Sequence, residues 1–291
     1  FTNVEWMNFS DSQKENILHK FRLAFLTETT VNWCEELGTV LANDEVKDGF
    51  SERGGHPVIK IKMKQWALRI TAYSTRLLED LNKIDWPSSI KEIQKNWIGK
   101  SKGASIFFKI DEKENASIEV YTTRPDTIFG ATFLVLSPEH PIIKEFIESK
   151  HVSAYVKECK QKTEIERKKS KSITGVFSGM YALHPITNKK MPIWISDYVL
   201  IDYGTGAIMA VPCGDQRDWS FANKFDLEIK NIFKGVDVSK SAHEEKDIIL
   251  KDSDFVNGLS SIEASQKIVS FLESKKLGFS RINFKQRDAI F

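Results

Sequence analysis

Two stretches concentrate the groups able to do chemistry. The first, Tyr121-Thr-Thr-Arg-Pro-Asp-Thr-Ile-Phe-Gly130, puts three threonines, an arginine, a proline and an aspartate into six consecutive residues. Threonine hydroxyls donate and accept, so Thr122 and Thr123 can hold a polar ligand or a water. As β-branched residues at a strand end they need no such role. Arg124 is open to two readings, a phosphate contact or a pair with Asp126. The second stretch, Tyr203-Gly-Thr-Gly-Ala-Ile-Met-Ala-Val-Pro-Cys-Gly-Asp-Gln-Arg-Asp218, ends on two aspartates. A carboxylate in a partly dry pocket must find a cation, which makes Asp218 a candidate ammonium binder. Both aspartates also sit where a helix begins and suit its positive end; Asp215 fits that capping role better. Gly204 and Gly206 flank Thr205 and point to special backbone geometry or close approach. Met209 and Val211 alternate along the next strand, lining a pocket or filling a core. Tyr203 reads as a stacking ring or a buried edge.

These residues need strands and helices to position them. Ala116 to Tyr121 alternates like a half-buried strand,. Further strands are expected at Ala104 to Ile110, Ile118 to Thr123, Ile193 to Asp202 and Ala207 to Val211. Helical patterns fall at Pro138 to Ser149, Ala154 to Lys169, Arg217 to Phe225 and Ile262 to Lys276. Before residue 100 the texture differs. Ser12 with Glu15 has capping-box spacing ahead of an apolar face that runs to about Thr27. Short strands are expected around a turn at Gly38. Residues 62 to 81 hold a helical apolar period, clearest from Tyr73, until Trp86-Pro87 breaks it. Ile90 to Trp97 reads as a short helix, and Gly99 to Gly103 as a polar hinge. Three parts follow: 1–100, a mixed α/β domain at 101–280, and a strand leaving it at 281–291.

Composition excludes several classes. The chain has 291 residues, 41% hydrophobic and 28% charged, which is ordinary for a soluble globular protein,. No apolar run approaches the ~20 residues of a membrane helix. Three cysteines, Cys34, Cys159 and Cys213, lie far apart without a paired framework, so a reducing cytoplasmic setting is expected and a structural metal site is not,. Cys213 has no histidine near it in sequence, which argues against a thiol nucleophile. A net charge of +2 argues neither for nor against nucleic acid,. The densest basic run, Glu166-Arg-Lys-Lys-Ser-Lys171, reads as a solvated segment or a phosphate contact. The N-terminus, Phe1-Thr-Asn-Val-Glu, lacks a signal-peptide pattern and an initiator Met, and suggests a piece of something longer,.

The two motifs, in this order and with Gln94-Lys-Asn-Trp-Ile-Gly-Lys-Ser101 before them, resemble bacterial-type leucyl-tRNA synthetase, specifically its inserted editing domain. Asn32-Trp-Cys34, Gly38 to Val46 and Phe284-Lys-Gln-Arg-Asp288 resemble the catalytic-domain segments flanking the insertion. The resemblance implies a mixed α/β editing domain with a barrel-like central sheet among helices. It also implies hydrolysis of the aminoacyl ester of mischarged tRNA-Leu, carrying isoleucine or norvaline, with the leucyl ester spared. In that setting Thr122 and Thr123 line the adenosine and reaction centre, and Asp218 binds the α-amino group. Thr127 is the steric gate against leucine, with Met209 and Val211 in the amino-acid pocket. Arg124, Asp126, Tyr203, Gly204, Thr205, Gly206, Asp215 and Arg217 are expected around the tRNA end. A second sieve has a physical motive, since one methylene is worth only ~1–3 kcal/mol in a single pocket. No cofactor or metal is implied for editing; ATP and Mg belong to the full-length parent. Its two adenylate-forming signatures, of the His-x-Gly-His and Lys-Met-Ser-Lys-Ser types, are absent here, so aminoacylation is not expected. The expected partners are the tRNA-Leu 3′ end and the rest of the synthetase, in a cytoplasmic monomer. Gly214 stands where many members have a histidine, which leaves a non-hydrolytic binding module as an alternative. The loop Ser51 to His56 resembles a metal-free version of a zinc module.

Overall fold

The computed structural model describes residues 2–111, 113, 116–146, 149–160, 166–167, 172–201 and 204–290. Tyr203 and residues 168–171 of the basic run lie outside them. The chain divides into two compact units, Phe1–Gly99 with Phe284–Phe291, and Lys100–Asn283.

In the first unit, helices Asn3–Asn8 and Asp11–Phe21 precede strands β1 (Ala24–Cys34), β2 (Thr39–Leu41), β3 (Val46–Lys47), β4 (Phe50–Ser51) and β5 (Ile59–Leu68). Two expectations fail here. The second helix is capped by Ser10 with Gln13 rather than Ser12 with Glu15, through Gln13 N–H to Ser10 Oγ at 3.3 Å and Ser10 N–H to Gln13 Oε1 at 2.9 Å. It ends at Phe21 rather than near Thr27, and residues 62–68 of the segment read as helical over 62–81 belong to strand β5. The reason is tertiary: β1 and β5 form an antiparallel ladder from Ala24↔Leu68 to Trp33↔Ile59, so a local helical period yields to period-two pairing,. Helical structure resumes with a 3₁₀ turn at Ile70–Tyr73 that leads into the α-helix Ser74–Asp80. The helix Ser88–Ile98 stops because Gly99 takes φ 62°,. The short helix expected at Ile90 to Trp97 is thus present. The returning strand Ala289–Ile290 pairs with β5, while Asp288 Oδ1 accepts from the Thr71 N–H and hydroxyl at 3.1 and 2.8 Å.

The second unit contains β6 (Ser101–Ile110), β7 (Ser117–Thr122), a 3₁₀ helix Pro125–Gly130, β8 (Phe133–Leu136), β9 (Val176–Leu183), β10 (Lys190–Ile195), β11 (Ala207–Ala210) and β12 (Gly278–Asn283). The sheet runs β11-β8-β10-β9-β6-β12, with β7 on β6. Only β8–β10 is a parallel pair; the other ladders are antiparallel. The unit is mixed α/β, but the barrel is not closed. β7 comes beside β11, yet no ladder joins them among the described residues. Gly103 lies inside β6 and not in a hinge; a Cβ there would sit 2.1 Å from the Thr122 carbonyl oxygen.

β8 explains how the unit is layered. All four of its residues are buried, as expected for a strand covered on both faces. Leu134 and Leu136 enter the main core, while Phe133 and Val135 face a second cluster with Phe221 and Ala222 of helix Gln216–Lys224. That helix is thus anchored to the sheet by its apolar side. β10 ends at Ile195, short of the expected Asp202. There the Ser196 hydroxyl donates to the Thr174 carbonyl and Asp197 Oδ1 accepts from the Thr174 hydroxyl at 2.8 Å, taking the chain out of the ladder,. β12 pairs with β6 from Gly278↔Ile106 to Asn283↔Ser101, so the strand expected to leave the domain belongs to its sheet through Asn283. No helix among the described residues is long and apolar enough to cross a membrane.

Candidate active site

The threonine-rich motif begins where β7 ends. Thr122 is half-buried, and its hydroxyl oxygen accepts the Arg124 N–H at 3.0 Å, which turns the chain out of the strand. Its hydroxyl proton remains free to be donated elsewhere. Thr123 is exposed at the bend. Pro125 opens the 3₁₀ helix, where a fixed φ is preorganised. Arg124 takes the structural option: Nε donates to Asp126 Oδ1 and Oδ2 at 3.1 Å each, and Nη2 to Oδ2 at 2.8 Å. The Asp126 side chain is 1% exposed, and Ser265 Oγ reaches its Oδ1 at 3.2 Å. That carboxylate is committed within the fold. Thr127 is buried, and its N–H and hydroxyl both donate to the Arg124 carbonyl, at 3.1 and 2.8 Å.

A histidine that sequence reading passed over supports this turn. His184 Nδ1 accepts the N–H groups of Ile186 and Thr187, both at 3.2 Å. Nε2–H therefore donates to the Ile128 carbonyl at 3.0 Å. Burial holds this imidazole below the usual range, so it is a neutral strut. The ring stacks on Phe129 with centroids 6.0 Å apart.

The glycine motif enters β11 from Gly204 and Gly206, with φ of 69° and 72°. Gly206 has no substitute: a Cβ would lie 2.5 Å from Ile201 Cδ1 and 3.3 Å from its Cα. The Gly206 carbonyl accepts the Ser137 N–H at 2.8 Å, tying the turn to the end of β8. Thr205 Oγ1 donates to the Ala207 carbonyl at 3.3 Å. A Cβ on Gly204 would stand 3.5 Å from Tyr121 Cβ, so the glycine turn lies beside the strand carrying Thr122. Met209 and Val211 are buried members of the main core, which is the packing alternative open to them.

Beyond β11, Asp215 is the N-cap of helix Gln216–Lys224, accepting the N–H groups of Arg217 and Asp218 at 2.8 and 3.2 Å. Arg217 is exposed and pairs with Asp215 at 3.3 Å. Freed from capping, the Asp218 carboxylate turns inward. Oδ2 accepts the Val211 N–H at 2.8 Å and Oδ1 the Tyr198 hydroxyl at 3.0 Å. Asp218 is 4% exposed. Burial, aided by the Asp215 charge, pushes its acid up to about 7 against the two hydrogen bonds and Arg217. Among the described residues no cation hydrogen-bonds or ion-pairs with it, so it is poised to gain by meeting one,.

Cys213 is buried, and burial raises its thiol to about 11, far from a nucleophile's range,. Gly214 has little room for a larger residue, since a Cβ would come 3.2 Å from Phe233 Cζ. At Arg167, within the part of the basic run that is described, neither a solvated nor a phosphate-facing side chain is found. Arg167 is buried, donating Nε to the Asp197 carbonyl, Nη2 to the Val199 carbonyl and Nη1 to Glu139 Oε1, all at 2.8 Å. It braces the segment that carries Tyr198.

The profile of the leucyl-tRNA synthetase editing domain matches residues 95–273. This chain belongs to that family. The chain is 52% identical over 296 residues to leucine--tRNA ligase of Christiangramia forsetii, covering 100% of this chain and 31% of that protein. It is 52% identical over 277 residues to the ligase of Bdellovibrio bacteriovorus, covering 94% and 34%. The chain thus spans about a third of the length of these relatives. A crystal structure of Agrobacterium radiobacter LeuRS in ternary complex with tRNA and LeuAMS superposes with a TM-score of 0.74 at 30% identity, over 95% of this chain and 32% of that one.

Proposed function

We propose that this editing domain hydrolyses the ester of tRNA-Leu charged with a wrong amino acid, such as isoleucine or norvaline, and spares leucyl-tRNA-Leu. The single observation that carries this reading is Asp218: a nearly sealed carboxylate with no cation partner among the described residues, placed by helix Gln216–Lys224 after the glycine-motif strand. An α-ammonium is the small cation that such a group suits. Binding it would fix the ester beside the hydroxyls of Thr122 and Thr123, with the exposed Arg217 toward the acceptor-end phosphates. Water then attacks the ester carbonyl carbon and the bond to the ribose oxygen breaks. The water proton passes to that oxygen, releasing free amino acid and intact tRNA. Rate enhancement of this kind comes from positioning and preorganised dipoles. Thr127, Met209 and Val211 would close the pocket against leucine.

In the same proposal the domain works in the cytoplasm as a monomer and uses no cofactor for editing. ATP and Mg²⁺ serve the aminoacylation of a whole ligase, which this chain does not carry out. The test is Asp218→Ala on norvalyl-tRNA-Leu. Ester loss that falls by orders of magnitude while the folded signature is retained supports the reading. An unchanged rate sinks it, and tight tRNA-end binding without hydrolysis by the unaltered chain would establish a binding module instead.

A further inference from the structure

We propose that Tyr198 is a positioning residue of this site, whose hydroxyl aims the Asp218 carboxylate and favours its charged, ammonium-binding form; this rests on the editing reading above. Three observations carry it. Asp215, and not Asp218, caps helix Gln216–Lys224, so the Asp218 carboxylate has no local duty. That carboxylate is clamped at both oxygens, by Tyr198 Oη–H at 3.0 Å and Val211 N–H at 2.8 Å. Each carboxylate oxygen accepts more than one donor, so the clamp leaves capacity for an ammonium. Lastly, Tyr198 is itself held, its ring 5.8 Å from that of Phe221 on the same helix and its neighbours Asp197 and Val199 fixed by buried Arg167.

The charged or titratable groups acting on Asp218 among the described residues are Tyr198 from the segment after β10, and Asp215 and Arg217 from the helix start. Asp215 opposes ionisation and is partly offset by its own pair with Arg217. Tyr198 is therefore the side chain whose hydrogen bond favours the carboxylate. Burial keeps its phenol well above the usual range, so it donates at every working pH.

Tyr198→Phe keeps the ring and removes the donor. A hydrogen bond to a charge is worth about a tenfold change in a protonation equilibrium. In the variant, carbon-13 NMR of the Asp218 carboxyl should titrate about one pH unit higher than in the unaltered chain. The rising limb of the pH profile for norvalyl-tRNA-Leu hydrolysis should move with it, so that alkaline pH restores the rate. A merely structural tyrosine would lower the rate at all pH values without moving the profile. In the unaltered chain, an exchange-protected Tyr198 hydroxyl proton should be visible above pH 7; its absence overturns the proposal even where the variant folds poorly. An active chain whose titration and profile do not shift on Tyr198→Phe overturns the role of Tyr198 alone. A chain inert toward all esters at every pH overturns the editing reading and this role with it.

Discussion

Replacing Asp218 by Asn should make the protein more stable while removing the charge its site needs. Burial raises the pKa of Asp218 from an ordinary 3.8 to about 7 in the fold. The sign follows from proton counts: between these values the unfolded chain holds fewer protons than the folded one, so stability falls as pH rises. Each unit of separation is worth 1.36 kcal/mol. The separation of about three units gives a penalty of about 4 kcal/mol above pH 8, and less than half of that at pH 5, where only the unfolded chain is ionised,. The Asn variant has no charge to desolvate, and its own hydrogen bonds do not change with pH. Its advantage over the unaltered chain should therefore grow by about 2–3 kcal/mol between pH 5 and pH 8. Urea unfolding followed by circular dichroism at the two pH values measures this directly. A difference that stays flat with pH, or that shrinks toward pH 8, would refute the claim that Asp218 is a strained, unneutralised carboxylate.

Two other substitutions test the scaffold. Arg124→Ala should lower stability by about 3 kcal/mol, because it strands Asp126, which is 1% exposed,; adding Asp126→Asn should recover much of that in thermal unfolding. Gly206→Ala should lower stability by about 1–3 kcal/mol, since the site combines φ of 72° with a backbone atom of Ile201 at 3.3 Å,; a melting point equal to that of the unaltered chain would count against the close approach.

What was legible in the sequence depended on how local the signal was. β6, β7, β10 and β11 were readable because alternating apolar runs with glycine punctuation have one sensible use, whereas β8 and β9 were not picked out,. Asp215 as a cap was readable for the same reason, its partners lying within three residues. The β1–β5 ladder was not, because a strand partner some forty residues away overrode a helical pattern that each segment carries alone. In the site, the residue types of both motifs stood out, but their division of labour did not. Arg124 and Asp126 satisfy one another, and Met209 and Val211 pack the core. Tyr198, His184 and Arg167 were missed because each acts on a carbonyl or carboxylate far along the chain. The tyrosine and histidine lie in segments with no motif of their own. Arg167 sat in a run whose like charges suggested solvent.

The central claim is that this chain distinguishes wrong esters from the right one. The most direct measurement mixes it with tRNA-Leu charged in parallel with isoleucine, norvaline and leucine and follows loss of each ester. The account predicts rapid loss of the isoleucyl and norvalyl esters with the leucyl ester persisting. Equal persistence of all three, with the tRNA end bound, or equal loss of all three, would contradict it.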